Sequence, residues 1–195
     1  MVIEKLLDKV NEFQGPIENF KLTGLTLIYV SQELKNNKDI VFPDNVVYAF
    51  FKGVNDDFIS EIERKNNMKL PLVYKNLVKI CNGFSLGLGY GVFYGLPTRL
   101  WKGVSWKEKP FLADDVIEEN KNAPKKITKR FFVIGRNFST GDWLGIKDNK
   151  MYLINKFGKQ LQEIDFYNVF IQIIEDCNNQ PEKLGEYIKE LYKNV

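Results

Sequence analysis

The stretch from Leu70 to Gly83 constrains the fold more than any other part of the chain. Pro71 is suited to the first turn of a helix, where its missing N–H goes unneeded, and Tyr74, Leu77, Val78 and Cys81 recur behind it at helical spacing. Asn82-Gly83 then offers a left-handed stop, so the spacing predicts a helix over 71–81 with one apolar stripe. Such a stripe needs a partner layer. After Gly83 the texture becomes glycine-rich and aromatic, with Tyr90, Val92, Phe93 and Tyr94 reading as strand. Three further runs, 131–136, 142–147 and 151–156, are separated by Asn137-Phe138-Ser139-Thr140-Gly141 and Asp148-Asn149-Lys150, the pattern of an antiparallel meander.

The flanks supply the helices. Val2, Ile3, Leu6, Leu7, Val10 and Phe13 form an amphipathic stripe that Gly15-Pro16 ends, and 25–30 reads as a strand before a polar loop at Asn36-Asn37-Lys38-Asp39. From Pro43, the residues Val46, Val47, Phe50 and Phe51 again sit at helical spacing, which predicts another helix. Asn55 is a candidate N-cap with Asp56 and Asp57 in the favourable first turn, placing Phe58, Ile59 and Ile62 toward the core. A short acidic helix is expected over 114–121. Asp165 can cap a helix with the stripe Phe166, Val169, Phe170, Ile173, Ile174 and Cys177, and after Pro181 another shows Leu184, Ile188, Leu191 and Tyr192. The expected fold class is α+β, with helices packed on a mainly antiparallel sheet in a single domain over 1–195.

Composition narrows the chemistry. With 44% hydrophobic and 27% charged residues the chain can bury a core. It contains no histidine, which removes Ser-His-Asp and Cys-His nucleophile pairs, His metal ligands and a His base together. Cys81 and Cys177, far apart and each in a helical apolar pattern, read as buried free thiols of a reducing compartment, not as a zinc cluster or a disulfide framework. Glu4, Lys5, Asp8, Lys9 and Glu12 interrupt the first apolar stretch, so no export or membrane segment is expected, and the location expected is cytoplasmic with no membrane partner. The net charge of +3 is far from the footprint of a dedicated nucleic-acid binder. No cofactor is expected.

Three motifs invite catalytic readings. Gly83-Phe84-Ser85-Leu86-Gly87 matches G-x-S-x-G, yet a nucleophile elbow follows a strand and precedes a helix, the reverse of the order here. Gly87, Gly89 and Gly91 lack the helix start that a phosphate cradle requires, so they read as a loop or bulged strand where backbone approaches closely. Asp114, Asp115, Glu118 and Glu119 fall in pairs on adjacent helical faces. They could serve a metal- or carboxylate-dependent enzyme, or simply favour a helix start in water.

Residues 98–134 carry nine Lys or Arg against five Asp or Glu, together with Trp101 and Trp106 in a stretch without periodicity. Two readings fit these tryptophans: plugs for the core, or anchors for a protein partner with Arg99 and Lys102. Tyr90, Tyr94 and Trp143 are the further candidate anchors, Trp143 because it alternates away from Leu144 and Ile146.

Ile62-Glu63, Leu70-Pro71 with Tyr74 and Leu77, and Asn82-Gly83 together resemble the SUKH superfamily, the bacterial toxin-immunity proteins and fungal cell-wall regulators of the Smi/Knr type. Phe132-Val133-Ile134-Gly135 and the hairpin Thr140-Gly141-Asp142-Trp143-Leu144-Gly145-Ile146 look like that family's central strands. The resemblance spans roughly residues 55–156, with an N-terminal extension over about 1–50 and an insertion over about 97–129 that smaller members lack. It implies a non-enzymatic binder that occludes a cognate polymorphic toxin domain, an intracellular scaffold or regulator without a toxin partner being the fungal variant.

Overall fold

A computed structural model describes residues 2–40, 43–97, 103–113, 115–138 and 140–192. Among these residues nine strands, β1 (Ile17–Phe20), β2 (Leu25–Tyr29), β3 (Val46–Lys52), β4 (Cys81–Leu86), β5 (Gly91–Phe93), β6 (Phe132–Asn137), β7 (Asp142–Lys147), β8 (Lys150–Ile154) and β9 (Gln160–Glu163), form one sheet. Each pairs antiparallel with its neighbours in chain order. The meander expected over 131–156 therefore continues across the molecule. The helices are α1 (Val2–Asn11), α2 (Gln32–Asn36), α3 (Asp56–Asn66), α4 (Leu72–Ile80), α5 (Val116–Asn122), α6 (Lys125–Thr128), α7 (Phe166–Asn179) and α8 (Pro181–Tyr192). The α+β class read from the sequence is the class observed.

One face of the sheet carries α1, α4 and α7. Phe93 and Phe84 of the central strands stack edgewise on Phe166 and Phe170 of α7, with ring centroids 4.9 to 5.8 Å apart, and Tyr74 of α4 lies 5.7 Å from Phe93. Rings at such separations add about 0.5–1.5 kcal/mol per pair beyond their buried area. Gly91 leaves room for this stack, because a Cβ there would meet Ile173 at 2.9 Å and Phe170 at 3.0 Å. Tyr48 of β3 donates to the Asn178 Oδ1 at 2.7 Å and Asn178 donates to the Lys9 carbonyl, so β3, α7 and α1 share one half-buried polar chain. Cys81 and Cys177 are buried and unbridged, and burial raises both thiols, Cys81 to about 12 and Cys177 to about 11.

On the opposite face Leu25, Leu27, Tyr29, Val46, Ala49 and Phe51 form a second apolar cluster, covered by Phe111 and Leu112. Glu108, 3% exposed, holds this cover in place: its Oε2 accepts the Ser105 N–H at 2.8 Å and its Oε1 accepts the Thr23 hydroxyl. Lys107 pairs with Glu18, which also accepts the Tyr29 hydroxyl. Residues 103–113 are thus a lid on this part of the sheet. Loops seldom pattern regularly even when their side chains are buried, and here one carboxylate fixes the register.

The segment from Pro43 that reads as helical is strand β3. Both faces of this strand are covered, so Val46, Val47, Tyr48 and Ala49 are all buried and the alternation of a one-sided strand is lost. Asn55 and Asp165 cap α3 and α7 as expected, accepting from Phe58 N and Tyr167 N. Pro71 stands at the N-cap of α4, one residue outside the position expected, and the helix does not end at Gly83. Cys81 is its extended C-cap, with φ −142°, and the chain passes directly into β4.

Gly83 does take a positive φ of 97°, but inside the strand. A Cβ there would lie 2.8 Å from the Gly95 nitrogen, and one on Gly95 would lie 2.2 Å from the Asn82 carbonyl oxygen. Backbones cross at this point with no space for side chains. Asn82, 3% exposed, fastens the crossing: its Oδ1 accepts the Leu96 N–H at 2.7 Å and its Nδ2 donates to the Leu96 carbonyl at 3.2 Å.

Glu63 performs the corresponding task between α3 and α4. Its carboxylate accepts the Leu70 N–H at 2.8 Å and the Lys75 ammonium at 3.1 Å, which explains why a charged residue lies buried beside Ile62. Burial would raise its pKa, but the Leu70 and Lys75 hydrogen bonds outweigh burial and hold the group below 4.5. A folded-state value below the unfolded one gives stability that is complete above the ordinary carboxylate range and disappears as pH falls through the lowered value. Glu63→Gln is expected to cost about 1–3 kcal/mol in urea titrations at neutral pH, and the deficit should shrink as the pH is taken down through the acid side of that range. A pH-independent deficit would contradict the ionised carboxylate as its source.

Candidate partner-binding surface

Where β5, β6 and β7 reach one end of the sheet, an arginine and three aromatic rings come together. Pairing places Arg136 beside Val92 on one side and Trp143 on the other. Its guanidinium carbon lies 4.5 Å from the Trp143 ring centroid and 4.7 Å from that of Phe138, geometry in which an arginine is held by ring quadrupoles. Tyr90 immediately precedes β5 and Phe138 immediately follows β6, and the Phe138 N–H donates to the Tyr90 carbonyl at 2.7 Å. Phe138 is 49% exposed and Tyr90 41% exposed, so two rings on a fixed backbone face solvent. The Tyr90 hydroxyl is hydrogen bonded with Tyr187 of α8, which raises its pKa and joins the last helix to this end of the sheet.

Behind Arg136 lies α5. Asp115 is the N-cap, its Oδ1 accepting the Ile117 N–H at 2.7 Å, and the Val116 N–H donates to the Gly95 carbonyl, which ties the helix to the strand crossing at Gly83. Burial raises the carboxyls of Asp115 and Glu119; for Glu119 a hydrogen bond from Tyr94 and the charge of Arg136 pull in the other direction. Glu118 faces water and pairs with Lys121 at 2.6 Å. The acidic cluster therefore divides into a cap, a half-buried partner of Tyr94 and a surface ion pair, while Asp114 falls outside the described residues. Among the described residues no group of three or more His, Cys, Asp or Glu is arranged to hold a metal ion.

Ser85 sits in mid-strand, paired with Ala49 and Val92, and lines a cavity of about 20 Å³ with Asn82, Phe111 and Asp115. That is room for about one water molecule.

The candidate anchors separate accordingly. Arg99, Trp101 and Lys102 lie outside the described residues. Trp106, 64% exposed, is carried by the lid over β1 and β2, on a different part of the sheet from Tyr90. Tyr94 and Trp143 are only 2% and 7% exposed, Tyr94 because α5 covers its face and Trp143 because Arg136 lies over it, so neither offers a surface to a partner. Phe138, Arg136 and Tyr187 go unnoticed in the sequence. The available signal was an aromatic residue in a turn between two expected strands, where no core can claim it.

This division predicts opposite effects of truncation. Trp143→Ala should lose about 3–5 kcal/mol of stability in denaturant titration, whereas Phe138→Ala and Tyr90→Ala should each stay within about 0.5 kcal/mol of wild type. Equal losses would show that Phe138 and Tyr90 belong to the core.

Among the described residues no helix is long and apolar enough to cross a membrane. The family model described as SMI1 / KNR4 family (SUKH-1) matches residues 53–185, from just before α3 into α8. No curated protein and no solved structure matches the chain. The matched span contains the Glu63 and Asn82 joints, the central strands and the arginine-aromatic end of the sheet. On that match, over more than half its length, the chain belongs to the SMI1/KNR4 family, SUKH-1.

Proposed function

We propose that this chain is a non-enzymatic binding protein that neutralises a cognate polymorphic toxin in the cytoplasm of the producing cell by occluding it. The observation that carries the reading is the pair of exposed rings, Tyr90 and Phe138, held on sheet backbone beside a ring-packed arginine. Interfaces concentrate their energy in aromatic and arginine anchors on preorganised scaffolds. Family membership agrees with a protein partner. Arg99, Trp101, Lys102 and Trp106 stay candidates for a second contact region. Asp115 is engaged as the cap of α5 and Glu118 in an ion pair with Lys121.

The test is co-expression with a toxin domain found encoded beside this gene. Wild-type protein should protect the host, and a Tyr90→Ala, Phe138→Ala double variant of unchanged melting temperature should bind the toxin at least about thirtyfold more weakly. Absence of protection by wild type overturns the reading. So would a rise in melting temperature on adding Mg²⁺ or Mn²⁺ that an Asp115→Asn, Glu119→Gln variant loses, since that would return the cluster to metal chemistry.

A further inference from the structure

The charge of this chain is divided more sharply than its net value shows. Residues 121–159 hold ten Lys or Arg and two Asp, a net of +8, in a chain whose total is +3, so everything else sums to −5. The fold gathers much of that excess on one surface. Lys125 and Lys126 on α6, Lys129 and Arg130 just after it, and Lys156 and Lys159 in the β8–β9 turn are all exposed. Among the described residues none of these six has a carboxylate within ion-pair distance, whereas their neighbours Lys121 and Lys150 pair with Glu118 and Glu163.

Phe157 stands between Lys126 and Lys156. At 67% exposure it is, among the described residues, the most exposed large hydrophobic side chain, with Lys126 Nζ 5.6 Å and Lys156 Nζ 5.3 Å from its ring centroid. The turn that carries it is seated, not free. Gly158 has φ 82°, and a Cβ there would meet the Lys126 side chain at 3.0 Å and that of Ile127 at 3.5 Å. Trp143 pairs with Arg136 on one side and Ile154 on the other, so the β6–β7 and β8–β9 turns leave the same end of the sheet and Phe157 belongs to the end that presents Phe138.

Six like charges gathered without counter-ions repel one another and oppose folding, an effect that an arriving negative surface reverses. An apolar ring at the centre of a charged rim is the layout of a protein interface. Single-stranded nucleic acid favours successive stacking rings and arginine forks, whereas α6 and the β8–β9 turn by themselves offer one exposed ring and five lysines to one arginine. We propose that α6 and the β8–β9 turn form a docking surface for an acidic protein face, with Phe157 entering an apolar pocket rimmed by carboxylates. This rests on the reading that the partner is a protein, and adds the sign of its charge and the anchor that meets it.

The test uses defined probes on the full chain: a random glutamate–tyrosine copolymer, polyglutamate, oligothymidylate and phosphatidylserine vesicles, with amide shifts followed by NMR. The copolymer should bind best, less tightly as salt rises, with shifts centred on Lys126, Phe157 and Lys159. Phe157→Ser should weaken copolymer binding about tenfold while sparing polyglutamate, and a Lys125→Glu, Lys126→Glu, Lys156→Glu variant of unchanged melting temperature should lose both. Tighter binding of oligothymidylate or vesicles, shifts centred elsewhere, or indifference to Phe157→Ser would overturn the proposal. Protection from the toxin that survives the triple charge reversal would remove the acidic partner and leave the immunity reading standing, while failure of wild type to protect removes that reading without touching the copolymer result.

Discussion

Two hydrogen bonds from one side chain hold the centre of this molecule. Asn82 both accepts from and donates to Leu96, so the chain leaving β5 is clasped to the start of β4, and the contact is close enough that neither Gly83 nor Gly95 can carry a Cβ. Each bond contributes about 1 kcal/mol net, and leaving either Leu96 group buried and unpaired would cost more than that. The consequence extends past the pair. Gly95 accepts the first N–H of α5, and α5 brings Glu119 behind Arg136 while Asn120 bridges to Val133 of β6. The aromatic end of the sheet is therefore placed through a crossing that lies in another part of the same strands.

Glu63 extends the same logic to the helical layer. A carboxylate that accepts a backbone N–H at the α3–α4 junction sets the angle at which α4 meets β4, and α4 delivers Tyr74, whose hydroxyl donates to the Tyr94 carbonyl at 2.9 Å. Buried polar groups of this kind, each fully partnered, favour one arrangement of the layers over its alternatives, since every alternative leaves one of them unsatisfied. Surface charge is governed by a different requirement. Lys121 and Lys150 are paired, whereas among the described residues the cations of α6 and the β8–β9 turn have no carboxylate at ion-pair distance.

The Asn-Gly and Ile-Glu dipeptides were legible as signature positions, though for the wrong reason at Gly83. Its positive φ was visible in the residue type, but a strand crossing and a helix stop make the same demand for glycine, and only the tertiary partner Gly95 distinguishes them. Strand β3 was misread because covering both faces of a strand removes the alternation that marks it. Strands β1 and β9, with Ile17 and Leu161 half exposed at the two edges, carry too few apolar residues to announce themselves. Of the proposed binding surface, Tyr90 was legible as an aromatic among glycines. Arg136 and Phe138 were not, since their meaning comes from the cross-strand partner Trp143, and the basic surface around Phe157 depends on α6 folding against a turn some thirty residues away in sequence.

The dependence of the fold on the Asn82 crossing can be read directly by native-state hydrogen exchange at the Leu96 amide, which Asn82 Oδ1 accepts. If the crossing organises the molecule, this amide exchanges only through global unfolding, with an opening free energy equal to that from urea titration and lowered in step with it by Glu63→Gln. Exchange through a local opening of much smaller free energy, comparable with that of the edge strand β9, would contradict the account.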